Sequence, residues 1–126
     1  MLLLSAATSD LTKVTLNEVA HSIFYAPMYV AIEEGYFADE GINLELVTGY
    51  GADKTMTALL TDEADIGFMG SEASVYTYLQ GAEDYAVNFA QLTHRVYFPF
   101  FHKNPLINVL IIICGKRNKV IGGWRK

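Results

Sequence analysis

Four strand-like segments alternate with three helix-like segments between Val14 and Thr93, and this order restricts the possible folds more than any other feature of the chain. Apolar residues recur at every second position in most of the strand-like segments and at every third or fourth position in the helix-like ones. In chain order the segments are KVTLNEVA, APMYVAIEEG, GINLELV, DKTMTALLTDE, ADIGFMG, SEASVYTYLQG and YAVNFAQLT. Strands joined by helices form βαβ units, whose strands are parallel. We therefore predict an α/β fold with a mainly parallel sheet and helices on both faces.

The helix boundaries are marked by residues suited to helix ends. Pro27 stands in the first turn of the first helix, where its missing N–H is tolerated, and Gly35 is the predicted stop. Asp53 lies near the start of the second helix, where the helix dipole favours a carboxylate. Ser71 is the predicted N-cap of the third helix and Gly81 its terminating glycine. Each helix thus begins directly after a loop that follows a strand.

Composition and charge divide the chain into regions. With 126 residues, 52% of them hydrophobic, the chain is long enough for one domain with a core, and its net charge of -5 argues against nucleic acid as a partner. All 14 acidic residues lie between Asp10 and Asp84, whereas residues 95–126 contain basic residues and no acid. We predict a signal remnant or disordered N-terminus at 1–13, an α/β unit at 14–94 and an atypical tail at 95–126.

Ligands of open α/β sheets bind at the carboxyl ends of the strands, where three loops are rich in polar and aromatic side chains. Each of these loops opens a helix and offers unpaired backbone N–H groups, which favours a small anionic or strongly polar ligand. The candidate residues are His21, Ser22, Phe24, Tyr25, Tyr50, Ser71 and Glu72. A structural role is the alternative for several of them: the aromatic residues as ordinary packing, the histidine as a structural residue, and Ser71 as a helix cap only.

No pattern in the sequence predicts catalysis, a metal or a cofactor. The nucleophile-elbow, phosphate-loop and dinucleotide-binding glycine motifs are missing from the sequence. The paired carboxylates, such as Asp62 with Glu63, are adjacent in sequence and are best interpreted as solvated helix ends. Cys114 is the only cysteine, which is too few for a disulfide within the chain or for a cysteine-based metal site. We therefore expect a binding protein rather than an enzyme.

Two long stretches, YAPMYVAIEEGYFADEGINLELV and GADKTMTALLTDEADIGFMGSEASVY, resemble the N-terminal lobe of substrate-binding proteins of ABC importers in the SsuA/THI5-like (NMT1-like) family. The resemblance covers residues 14–93 and implies a partial first lobe of a type II periplasmic-binding-protein fold. The implied ligand is a sulfonate, taurine, nitrate or a thiamine pyrimidine precursor. The implied partner is a transporter permease, and the implied location is extracytoplasmic, as a periplasmic or cell-surface lipoprotein.

The resemblance also transfers the binding loops of the family to this sequence. The transferred residues are His21, Ser22 and Tyr25 in the first loop, Tyr50, Gly51 and Ala52 in the second, Gly70, Ser71 and Glu72 in the third, and Gln91 at the end of the fourth strand. An enzyme of the pyrimidine-precursor synthase branch of the same superfamily is the alternative function, although it would need a cluster of iron-binding cysteines.

The chain also departs from the family pattern. It is shorter than the two-lobed family members, and Ala7 stands where the lipidated cysteine of a lipoprotein signal would stand. From Arg95 the pattern is lost, although KVIGGWRK is similar to a strand and turn of the family, and a frame shift near Arg95 would explain this. A non-functional truncated product is therefore another alternative. So is an interaction protein that self-associates through LINVLIIIC as an exposed edge strand.

Overall fold

The computed structural model describes residues 11–93, 96–97, 106–107 and 111–116. Seven strands and four α-helices are found in these ranges, and a 3-10 turn at Ile23–Tyr25 precedes the first helix. The strands are β1 (Thr12–Glu18), β2 (Ile42–Thr48), β3 (Ile66–Gly70), β4 (Ala86–Thr93), β5 (Val96–Tyr97), β6 (Leu106–Ile107) and β7 (Ile111–Lys116). The helices are α1 (Ala26–Glu33), α2 (Tyr36–Asp39), α3 (Ala52–Leu60) and α4 (Glu72–Leu79). The predicted alternation of strands and helices up to Thr93 is confirmed, and α2 is an additional short helix that was not predicted.

The main sheet has five strands in the order β2-β1-β3-β7-β4. β1 pairs in parallel with both β2 and β3, so the predicted α/β fold with a parallel centre is confirmed. The register places Leu16 opposite Leu46 and Ile66, and it places Glu18 opposite Thr48. Side chains opposite each other in neighbouring strands lie on the same face of the sheet. The register therefore brings the carboxylate of Glu18 beside the hydroxyl of Thr48.

β7 comes from the tail and lies between β3 and β4, antiparallel to both. The tail thus contributes a central strand to the same sheet as residues 14–93. The hypothesis of an exposed edge strand is wrong for Ile111–Cys114, because both sides of β7 are paired. Residues Leu106 and Ile107 pair with β5 in a separate two-stranded sheet, and the rest of LINVLIIIC, residues 108–110, lies outside the described residues.

The helices cover the two faces of the sheet in pairs. Phe68 packs with Leu16 and Met28 of α1, whereas its neighbour Met69 packs with Leu59 of α3. Successive residues of a strand point to opposite faces, so α1 and α3 lie on opposite sides of β3. Ala73 of α4 packs against the cluster of Met69 and Leu59. The predicted placement of helices on both faces is confirmed.

The face that carries α1 is only partly covered, and an apolar groove of about 740 Å³ runs along it. Val14 and Leu16 of β1 form its floor together with residues of β2, β3 and β4, and α1 and α2 form one wall. Phe68, which is 1% exposed, is part of the floor, whereas Phe89 of β4 is 47% exposed. The groove therefore joins the buried core to open apolar surface.

Candidate functional site

The carboxyl ends of β1, β2 and β3 are linked by backbone hydrogen bonds. The N–H of Gly49 donates to the carbonyl of Glu18 at 2.8 Å, and that of Gly51 donates to the carbonyl of Val19 at 3.1 Å. The N–H of Val19 in turn donates to the carbonyl of Phe68 at 3.2 Å. The loop after β1 is thereby held between the loop after β2 and the end of β3. All three predicted loops therefore begin at the same edge of the sheet.

Glu18, the last residue of β1, is fully buried at 0% exposure. Its Oε2 accepts a hydrogen bond from the Tyr29 hydroxyl at 2.6 Å. Its Oε1 accepts one from Thr48 Oγ1 at 3.0 Å and lies 3.1 Å from His21 Nδ1. A buried carboxylate is costly unless hydrogen bonds satisfy it, so these three groups explain why the residue is tolerated there. We call Glu18, His21, Tyr29 and Thr48 the Glu18 cluster.

Tyr29, on α1, joins the Glu18 cluster to the first loop. Its hydroxyl accepts a hydrogen bond from the backbone N–H of Ser22 at 3.0 Å, and its ring stacks on His21 with centroids 4.2 Å apart and planes 20° apart. Burial, and then the hydrogen bond to Glu18, raises the pKa of Tyr29 to about 12. The phenol therefore stays protonated as a donor at physiological pH, and it fixes the first loop to α1.

Ser22 and Tyr25, both predicted site residues, have structural roles in the first loop. Ser22 Oγ accepts a hydrogen bond from the N–H of Phe24 and so caps the 3-10 turn, at 3.4 Å. Tyr25 is buried and packs edge-to-face on Phe68 with centroids 4.5 Å apart. Burial, with a smaller contribution from the charge of Glu18, raises the pKa of Tyr25. Tyr25 thus belongs to the core cluster on the α1 face.

The second loop exposes Tyr50 between two glycines. Tyr50 is 80% exposed and has a φ of 58°, a left-handed conformation that non-glycine residues adopt at a cost. Gly51 follows with a φ of 153°, and Ala52 begins α3. Asp53 Oδ1 lies against Gly51, where a Cβ would approach it to 2.5 Å. The loop geometry therefore holds the Tyr50 ring out in solvent.

The third loop contains Gly70, Ser71 and Glu72. Ser71 stands at the predicted N-cap position, but its side chain makes no capping hydrogen bond; its carbonyl accepts one from Ser74 Oγ at 2.7 Å. The carboxylate of Glu72 folds back over Gly70 and fills the space that a Cβ at this position would need. The glycine is therefore required for the close approach of Glu72.

Gln91 belongs to β4 and not to one of the three loops. It is an exposed residue of β4 and faces Ile112 of β7 in the register. β7 and β3 separate β4 from β1 in the sheet. Among the predicted site residues, His21 and Ser22 are connected to the end of β2 by side-chain contacts through Glu18 and Tyr29.

Sequence reasoning did not select Glu18, Tyr29 or Thr48, the three residues that organise the site. One signal was present: Glu18 continues the alternation of Val14 and Leu16, so the pattern places a carboxylate at a position that faces the core. A charged residue in a buried row needs hydrogen-bond partners, and the ends of the neighbouring elements can supply them.

The described residues contain neither a helix that could span a membrane nor a group of side chains that could hold a metal ion. Among residues 11–93 and the short strands of the tail, no helix has the length and apolar character needed to cross a membrane. In the same part of the chain, no three His, Cys, Asp or Glu side chains are grouped so that they could hold a metal ion.

A partly covered α/β lobe with a polar cluster at the carboxyl ends of its parallel strands is typical of proteins that bind small ligands. A profile described as "NMT1/THI5 like" matches residues 23–105, which is more than half of the chain. The chain belongs to the NMT1/THI5-like family. It is 55% identical over 83 residues to the protein named "Putative binding protein YtlA" of Bacillus subtilis (strain 168), over 66% of this chain and 25% of that protein. The chain therefore spans about a quarter of the length of this relative.

Proposed function

We propose that the chain is the ligand-binding part of the solute-binding component of an ABC importer. The proposed ligand is a small organic anion or heterocycle of the sulfonate, taurine, nitrate or thiamine pyrimidine precursor class. Family membership and the similarity to a protein named as a binding protein support a solute-binding role. A transporter permease as the partner and an extracytoplasmic location are part of the same proposal.

The observation that most supports the proposal is the linkage of two strand-end loops through one buried carboxylate. Glu18 accepts a hydrogen bond from Thr48 at the end of β2 and pairs with His21 in the loop after β1. Neighbouring parallel strands with polar groups at their carboxyl ends form the usual ligand position of open α/β sheets. A chain that only needed a stable core would gain more from an apolar residue at position 18.

Two exposed apolar side chains lie in the loops at the carboxyl ends of β1 and β2, near the Glu18 cluster. Ile23 is 81% exposed and Tyr50 is 80% exposed, in the first and second loops respectively. Exposed rings and aliphatic side chains beside convergent polar groups are typical of ligand pockets and of surfaces that meet another protein surface. In a longer protein such as this relative, of which the matched residues cover about a quarter, a second lobe facing this edge would cover both residues and the ligand.

The test is a titration of the 126-residue chain followed through its backbone amide resonances. Taurine, ethanesulfonate, nitrate and an aminopyrimidine are added separately, and we expect saturable shifts at His21, Tyr50 and Ser71 with at least one of them. Because one lobe leaves the ligand open to water, we expect dissociation constants of about 1 mM rather than about 1 μM.

Two exposed tyrosines provide a matched pair of variants. Tyr50→Ala removes a ring at the proposed site, whereas Tyr36→Ala removes a ring on α2 that is 56% exposed. We expect Tyr50→Ala to weaken binding several-fold and Tyr36→Ala to leave it unchanged. Shifts confined to the apolar groove, or no shift with any of the four compounds, would contradict the proposed function.

A further inference from the structure

The orientation of the His21 imidazole is fixed from two sides. One face of the ring stacks on Tyr29, and its Nδ1 lies 3.1 Å from Glu18 Oε1. The side chain of His21 is nevertheless 71% exposed. Because Nδ1 is turned towards the buried carboxylate, the Nε2 atom of the ring points away from Glu18.

The partners of Glu18 determine which ring nitrogen of His21 carries the proton. Tyr29 and Thr48 both donate to the Glu18 carboxylate, so its oxygens act as acceptors. A nitrogen that faces such an acceptor must be the N–H donor, which makes Nδ1 the protonated nitrogen of the neutral ring. Nε2 then carries a lone pair and can accept a hydrogen bond.

The charges of the three loops also disfavour an anion. The segments 18–25, 48–53 and 69–72 contain the carboxylates of Glu18, Asp53 and Glu72 and no lysine or arginine; Lys54 is the nearest basic residue in sequence. Asp53 lies against Gly51, and Glu72 lies over Gly70, so carboxylates of the chain already occupy the approach to the starts of α3 and α4. An oxyanion would meet like charge at both places.

We infer that Glu18 is a positioning residue that fixes the Nδ1–H form of His21. Nε2 of His21 then acts as a hydrogen-bond acceptor. The site therefore selects ligands that carry an N–H donor, such as an amino, amide or ammonium group, over sulfonate or nitrate. This inference rests on the proposed function for the location of the site and narrows the chemistry of its ligand. A lone pair on Nε2 gains a hydrogen bond from a ligand N–H, whereas an oxygen of a sulfonate or nitrate offers it no donor and only repels it.

The role of Glu18 can be tested without any ligand. Long-range proton–nitrogen spectra of the chain with labelled histidine report which ring nitrogen is protonated, and His21→Asn assigns the His21 signals among those of the three histidines. We expect the Nδ1–H form in the unchanged chain and a shift towards the Nε2–H form in Glu18→Gln. The exposed Glu63→Gln variant is the matched control and should leave the signals unchanged. Backbone amide spectra of each variant verify that it is folded.

Tyr29→Phe provides a second, milder variant. It keeps the stacked ring and removes only the hydroxyl that donates to the other oxygen of Glu18, so we expect His21 to keep the Nδ1–H form. A predominant Nε2–H form in the unchanged chain, or identical His21 signals in the folded Glu18→Gln variant, would overturn the positioning role.

The ligand selectivity is tested with two compounds of nearly the same shape. Methanesulfonamide carries N–H donors, whereas methanesulfonate carries only acceptors and a negative charge. We expect methanesulfonamide to bind at least about tenfold more tightly, with its largest effect on the His21 ring nitrogens, and we expect Glu18→Gln to reduce this preference to about twofold.

The outcomes separate the two proposals. Tighter binding of methanesulfonate at the three loops would overturn the selectivity and leave the proposed function standing. Binding of taurine, ethanesulfonate, nitrate or the aminopyrimidine, without any preference for methanesulfonamide over methanesulfonate, would likewise overturn the selectivity and leave the proposed function standing. No response of the three loops to any of the compounds would contradict the proposed function itself, while the histidine spectra would still decide the role of Glu18.

Discussion

The apolar groove and the Glu18 cluster lie end to end along one face of β1, and they differ in what holds them together. Val14 and Leu16 form the groove floor, and Glu18, the next residue on that face, begins the polar cluster. Apolar contacts contribute to stability in proportion to the apolar area that they bury, and they have no preferred direction. Hydrogen bonds, in contrast, fix particular atoms at particular positions. The groove therefore contributes mainly to stability, whereas the Glu18 cluster fixes the positions of individual polar atoms.

The largest effect is expected from removing the ring of Phe68, which is part of the groove floor and packs on Tyr25. Phe68→Ala should lower the free energy of unfolding by about 3–5 kcal/mol, because it leaves a cavity at a fully packed position. Urea denaturation measures this change. If the variant is too unstable to fold, Phe68→Leu should cost less than about 1.5 kcal/mol.

Val75→Ala on α4 is the control for this prediction. Val75 is 53% exposed, so the substitution should change the free energy of unfolding by no more than about 0.5 kcal/mol. A cost below about 1 kcal/mol for Phe68→Ala would mean that the groove side of the sheet contributes little to the core.

A smaller effect is expected on the opposite face of β1, which α3 covers and where Gly49 packs against Asn17 and Thr55. A Cβ on Gly49 would lie 2.5 Å from Asn17 Oδ1 and 2.6 Å from Thr55 Oγ1, two atoms that are hydrogen-bonded to each other at 2.8 Å. Gly49→Ala should therefore cost about 1–3 kcal/mol of unfolding free energy. Urea denaturation measures the cost.

The explanation by crowding is tested with a double-mutant cycle. Thr55→Ala removes one of the two crowded oxygens, so Gly49→Ala should cost less in that background than in the unchanged chain. Strict additivity of the two substitutions would show that the methyl group added by Gly49→Ala does not disturb the pair formed by Asn17 and Thr55.

The smallest expected effect is a pH dependence that originates in Tyr29. The pKa of Tyr29 is about 12 in the folded chain, against an ordinary value of 10.0. Because folding favours the protonated phenol, its stabilising contribution is complete below pH 10 and is lost as the pH rises from there to about 12. Unfolding free energies measured between these pH values should fall less steeply in Tyr29→Phe than in the unchanged chain.

Tyr36→Phe is the matched control for this pH dependence, because Tyr36 is exposed on α2. It should follow the unchanged chain across the whole range. Equal slopes for the unchanged chain and Tyr29→Phe would mean that burial and the hydrogen bond to Glu18 do not hold the phenol in its protonated form.

Local sequence patterns were enough to predict the four strands and the three longer helices up to Thr93, but not the short helix α2. Apolar periodicity predicted the strands and helices, and the predicted stop at Gly35 is a left-handed glycine with a φ of 77°. These features depend on local preferences, such as the period of apolar residues and the freedom of glycine, which a single segment displays. The predicted polar edge at the carboxyl ends of the strands has the same local basis.

The way in which distant segments combine depends on contacts that form only in the folded chain. The insertion of β7 between β3 and β4 depends on pairing across more than 40 residues, and no local pattern of the tail specifies that position. The burial of Tyr25 against Phe68 and the pairing of Glu18 with Thr48 follow from the packing of α1 and from the register of β1 with β2. Such contacts are set by which surfaces meet in the folded chain, because hydrogen-bond partners 30 residues apart leave no periodic signal in the sequence.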